Sequence, residues 1–99
     1  MKYHIKITFR PKAIQDLEDI YKYSEKNFGY SRAVQYVKDI DIALNKIIDN
    51  PALASDYSDI RFGLSAYKVV SHIIFFKLSK QRLTVIRILH QSMDYKRYL

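Results

Sequence analysis

Arg61, Lys68, Arg87, His90, Tyr95 and Tyr98 are the side chains whose chemistry could act on a phosphate ester. Cleavage of RNA needs a base for the 2′-hydroxyl, an acid for the leaving oxygen and cations around the phosphate. His90 titrates near neutrality when unperturbed and could fill either proton-transfer role, with Arg61 and Arg87 supplying charge. Arg87 and His90 stand three apart in a β-rich run, however, and a regular strand points such residues to opposite faces. A structural role for His90 is therefore favoured over catalysis: a hydrogen bond to the tail, with Asp94 as the nearest candidate. His4, His72 and His90 lack metal-ligand spacing and have no Cys to join them, so no metal is expected. No cofactor is expected either, because 99 residues bury one modest core.

Charge is distributed unevenly along the chain. The 17 Lys and Arg outnumber the 10 Asp and Glu, for a net charge of +7. Residues 1–60 carry nine of each sign, whereas residues 61–99 carry eight cations and one acid, Asp94. A single domain spanning 1–99 is expected at this length. The lack of Cys excludes a disulfide framework, a thiolate zinc site and a thiol nucleophile, and suits a reducing cytoplasm. No apolar segment of signal-peptide type follows Met1, and the longest apolar run, Ile73 to Phe76, is far short of a membrane span. A cytoplasmic protein with no membrane contact is the expectation.

The elements that must position these side chains follow from periodicity. Tyr3, Ile5, Ile7 and Phe9 alternate with His4, Lys6, Thr8 and Arg10, which predicts a first strand. Pro11 suits the first turn of a helix running to about Asn27, with Asp16, Glu18 and Asp19 near its positive end. Gly29 breaks this helix, and Ser31 is the expected N-cap of a second one that ends at Asn50-Pro51. The short link makes the two helices an antiparallel hairpin. Pro51 to Phe62 reads as a surface loop. Leu64 to Val70, Ser71 to Leu78 and Leu83 to Leu89 read as a three-stranded antiparallel meander, closed by a short tail from Ser92. The junction of the first two of these strands carries no Gly, Pro or Asn to mark it. The fold class is α+β.

Strict alternation along the last two strands makes both faces of the sheet apolar. Two helices cover one face, so part of the other, centred on Phe75, is expected to form a patch or to be covered by a partner or a second copy, the less favoured alternative being that the first strand, the loop and the C-terminal tail wrap around it.

An N-terminal strand, a helical hairpin and a meander ending in Val85-Ile86-Arg87-Ile88-Leu89-His90-Gln91-Ser92-Met93-Asp94 resembles the ParE branch of the RelE/ParE toxin superfamily. The resemblance spans almost the whole chain. Its marks are Ala13, Asp16-Leu17, Phe28-Gly29, Tyr36, Asn50-Pro51, Asp59-Ile60-Arg61, Gly63, His72 to Phe75, Arg87 to His90 and Met93-Asp94. It implies a type II toxin that poisons DNA gyrase, blocks replication and is neutralised by a co-encoded antitoxin. It thereby implies an inhibitor with no catalytic residue of its own, and the alternative within the superfamily is a RelE/YoeB-like ribosome-dependent mRNA endonuclease using Arg61, Arg87 and His90. The strands that would hold such a site offer mainly Val69, Val70, Ile73, Ile74, Phe75 and Phe76, which favours the inhibitor. Candidate contacts with gyrase or with an acidic antitoxin segment are Arg61, Phe75, Lys77, Arg82, Arg87, His90, Met93, Asp94 and Arg97. A toxin–antitoxin hetero-oligomer or a homodimer would follow.

Overall fold

A computed structural model of the chain describes residues 5–99; Tyr3 and His4, expected to open the first strand, lie outside the described residues. The strand β1 covers Lys6–Phe9, and the helices α1 and α2 cover Pro11–Phe28 and Tyr30–Asp49. Gly29, the single residue between the helices, has φ +92°, a region that L side chains rarely adopt, so the chain reverses in one step. Its carbonyl accepts the N–H of Ala33 at 3.2 Å, which starts α2 at Tyr30. Ser31 therefore lies inside the helix, and the expected N-cap is corrected to Gly29.

The loop after α2 contains a 3-10 turn at Pro51–Leu53 and a two-residue strand β2, Ser55–Asp56. The meander follows as β3 (Leu64–Val69), β4 (His72–Leu78) and β5 (Arg82–His90). The five strands form one sheet in the order β1-β5-β4-β3-β2. The β1–β5 pair is parallel and the other pairs are antiparallel, so the sheet is mixed. The β3–β4 turn falls at Val70 and Ser71, where Val70 takes φ +53°. A β-branched residue in the left-handed region is strained, which is why no turn residue betrays this hairpin in the sequence.

The helices pack on one sheet face through Ala13, Ile20, Ile40, Ala43, Leu44 and Ile47 against Val69, Ile74, Phe76, Leu83, Val85 and Ile88. On β5 the expected alternation fails at one place. Phe75 pairs with Arg87 but Phe76 pairs with Val85, leaving Ile86 without a partner residue. This β-bulge exchanges the faces beyond it, so Ile88 joins the helix-side core and Leu89 joins Ile86 on the other side.

The second face has a core of its own. Leu64, Ala66, Phe75, Ile86 and Leu89 are covered by Tyr57 and Ile60 from the loop and by Met93, Tyr95 and Leu99 from the tail. Phe75 is 0% exposed, with the rings of Tyr57 and Tyr95 at 5.7 and 5.6 Å. The expectation of a partner-covered sheet is thereby overturned, because loop and tail supply the missing layer.

Candidate functional site

The site grows out of the bulge in β5. Strand β1 ends at Phe9, and after Arg10 donates its N–H to the Val85 carbonyl (2.9 Å) Pro11 turns the chain into α1. Beyond Val85, β5 has no neighbouring strand on that side. Asp16 of α1 occupies the vacant edge: its Oδ2 accepts the N–H of Ile88 at 3.0 Å. The same carboxylate accepts two hydrogen bonds from the Arg87 guanidinium, Nε at 2.7 Å and Nη2 at 2.8 Å. Nη1 of Arg87 donates to the Tyr98 carbonyl at 3.0 Å, and its Cζ lies 5.8 Å from the Tyr98 ring centroid. Arg87 thus ties α1, β5 and the tail together, and its hydrogen bonds to Asp16 push its pKa above the usual guanidinium range.

Around this clamp opens a cleft of about 570 Å³ lined by Arg10, Lys12, Arg61, Arg87 and Arg97, with Tyr98 as its exposed aromatic. Arg87–Asp16 is the one ion pair found among the described residues, so the other four cations have no carboxylate partner there. No side chain caps the start of α1, so the positive end of its dipole adds to the same field. Such an arrangement attracts anions.

A second cluster lies where β4 and β5 end. The Tyr36 hydroxyl accepts the N–H of Ser71 at 3.2 Å and shares a hydrogen bond with His72 Nδ1 at 2.5 Å. The His72 and His90 rings meet edge to face at 5.3 Å. His90 Nδ1 accepts the N–H of Ser92 at 3.1 Å and contacts Ser92 Oγ at 2.7 Å. Its partner in the tail is therefore Ser92, which corrects the expectation of Asp94. An accepting Nδ1 places the proton of neutral His90 on Nε2.

Burial lowers the His72 pKa to about 4, helped by His90 and opposed by Asp16. The unfolded chain then binds a proton between pH 6.5 and about 4 that the folded chain refuses, so stability is full above pH 6.5 and declines as pH falls through this window. His72 is half-buried, and screening reduces the effect to about 1–2 kcal/mol. Urea midpoints measured across that range should slope less in His72→Asn than in the parent chain.

The sequence model for the ParE toxin of type II toxin-antitoxin systems matches residues 7–95. The chain belongs to this family. It is 31% identical over 88 residues to Toxin ParE1 of Caulobacter vibrioides, covering 89% of this chain and 91% of that one. To Toxin ParE1 of Mycobacterium tuberculosis it is 30% identical over 90 residues, covering 90% and 92%. Its fold superposes on a chain of the chromosomal ParDE system of P. aeruginosa with TM-score 0.70, at 17% identity and 87% and 95% coverage. It superposes on the YoeB dimer of Staphylococcus aureus with TM-score 0.64, at 22% identity and 88% and 97% coverage.

Within this ParE-family fold, the residues singled out from sequence scatter over several places. Arg61, Arg87 and Arg97 converge on the cleft. His90 lies apart from it, in the groove shared with His72 and Met93, so the trio Arg61, Arg87 and His90 does not assemble around one phosphate. Lys77 and Arg82 flank the turn at the opposite end of β4 and β5 and line no part of the cleft. Asp94 is exposed beside the tail's 3-10 turn (Tyr95–Arg97). Phe75 is enclosed and presents nothing to a partner in this fold. Tyr98, one of the side chains singled out from sequence, also lines the cleft. Arg10, Lys12 and Asp16 were absent from the candidates, and one signal pointed to the first two. Arg10-Pro11-Lys12 puts cations at a helix N-terminus, where the dipole disfavours them.

Proposed function

We propose that this ParE-family toxin inhibits DNA gyrase, blocking replication until a cognate antitoxin neutralises it in a hetero-oligomeric complex. The observation that carries the reading is the chemistry of the cleft: five cations converge and, among the described residues, no histidine or acidic side chain lines it, which suits holding a charged surface better than proton transfer between side chains. Membership of the ParE family over residues 7–95 supports the same direction. An antitoxin is supported by the ParDE system of P. aeruginosa and by the YoeB-YefM toxin-antitoxin heterotetramer of Staphylococcus aureus, whose toxins share this fold. An acidic antitoxin segment would complement the cationic side of the molecule.

The likeness to YoeB favours one second reading, a ribosome-dependent mRNA endonuclease. The separation of His90 from Arg61 and Arg87 counts against it. Purified chain should inhibit supercoiling of relaxed plasmid by gyrase, or trap cleaved DNA, at near-stoichiometric toxin. Normal supercoiling together with cut mRNA in a translating extract would replace this reading with the endonuclease.

A further inference from the structure

We propose that the cleft at the bulged edge of β5 binds the phosphodiester backbone of a nucleic-acid strand. This goes beyond the toxin reading and does not require gyrase as the target. Gathering Arg10, Lys12, Arg61, Arg87 and Arg97 from the α1 start, the loop, β5 and the tail costs mutual repulsion, which a bound polyanion offsets. Only Arg87 has its charge answered within the described residues, by Asp16. Four of the five cations are arginines, whose planar forks match phosphate oxygens two at a time.

The remaining lining is Pro11, Ile86, Tyr98 and Leu99. A docking peptide gains most of its affinity by seating apolar side chains, and of these residues Ile86 is only 7% exposed. The Tyr98 ring, 41% exposed beside the Arg87 guanidinium, is instead a platform on which a base can stack. At about 570 Å³ the cleft has room for a ligand on the scale of a nucleotide, with neighbouring phosphates reaching Arg61 and Arg97 at its rim.

Fluorescence anisotropy of the full chain with short labelled DNA and RNA strands tests this. Binding should weaken linearly in log–log plots against salt concentration, and Arg61→Gln and Arg97→Gln should each reduce the slope by about one. Both side chains are exposed, so both variants keep the parent's urea midpoint. Lys38→Gln, on the exposed face of α2 and outside the cleft lining, should bind like the parent. Tighter binding of one strand type identifies DNA or RNA as the source of the phosphates, and either supports the site. No binding at low salt, equal loss in Lys38→Gln, or binding of polyglutamate in preference to both oligonucleotides overturns it. Gyrase inhibition measured on the same preparation is scored separately, so this proposal can fail while the toxin reading stands.

Discussion

Phe75→Ala is expected to lower the unfolding free energy by about 3–5 kcal/mol. The side chain is 0% exposed and lies between two aromatic lids, the Tyr57 ring at 5.7 Å and the Tyr95 ring at 5.6 Å. Truncation removes the transfer free energy of the ring and leaves a cavity under residues that cannot collapse freely, because Tyr57 and Tyr95 also contact each other at 5.6 Å. A domain of this size has about 5–15 kcal/mol in total, so the variant should sit near the edge of folding at body temperature. Urea unfolding is the measurement, with an unchanged dependence on denaturant. A loss below about 1 kcal/mol accompanied by weaker antitoxin binding would mean that Phe75 faces a partner after all, and that the loop and tail do not close over it.

That single residue shows where sequence reading stops. Periodicity located α1, α2 and the three meander strands, because helix and strand repeats are local properties of the chain. It grouped Phe75 with an open face because strict alternation cannot reveal which loop or tail will return to cover a sheet. Tyr57 and Tyr95 lie 18 and 20 residues from Phe75, in segments with no periodicity of their own. The bulge at Ile86 was equally hidden, since an extra residue in a run of Val, Ile and Leu leaves no compositional mark. Its consequence is large, for it reverses Ile88 and Leu89 and sets Arg87 beside both α1 and the tail. The charge asymmetry located three of the five cleft cations, Arg61, Arg87 and Arg97. Arg10 and Lys12 were passed over because they belong to the electroneutral half by count and reach the cleft only through the β1–β5 pairing.

Asp16→Ala should cost about 2–4 kcal/mol, a large penalty for an acid on a helix surface. The pair is 13–14% exposed, and removing the carboxylate leaves the Arg87 guanidinium without its partner and the Ile88 N–H without an acceptor. Residual water access keeps the effect below that of a fully enclosed pair. Arg87→Met should cost less, since its aliphatic replacement keeps the packing of the stem and strands only a carboxylate that can turn to solvent. The double variant Asp16→Leu/Arg87→Met should recover about half or more of the summed loss, because two apolar groups replace two charges and neither is left unpaired. Additive losses from the two single changes would show that the pair is not coupled and that Asp16 acts only on the strand edge. The same set of proteins separates architecture from target binding. If Arg87 serves only to hold α1 to the tail, growth arrest on expression should return along with stability in the double variant. If its guanidinium also meets an anion in the cleft, stability returns and growth arrest does not.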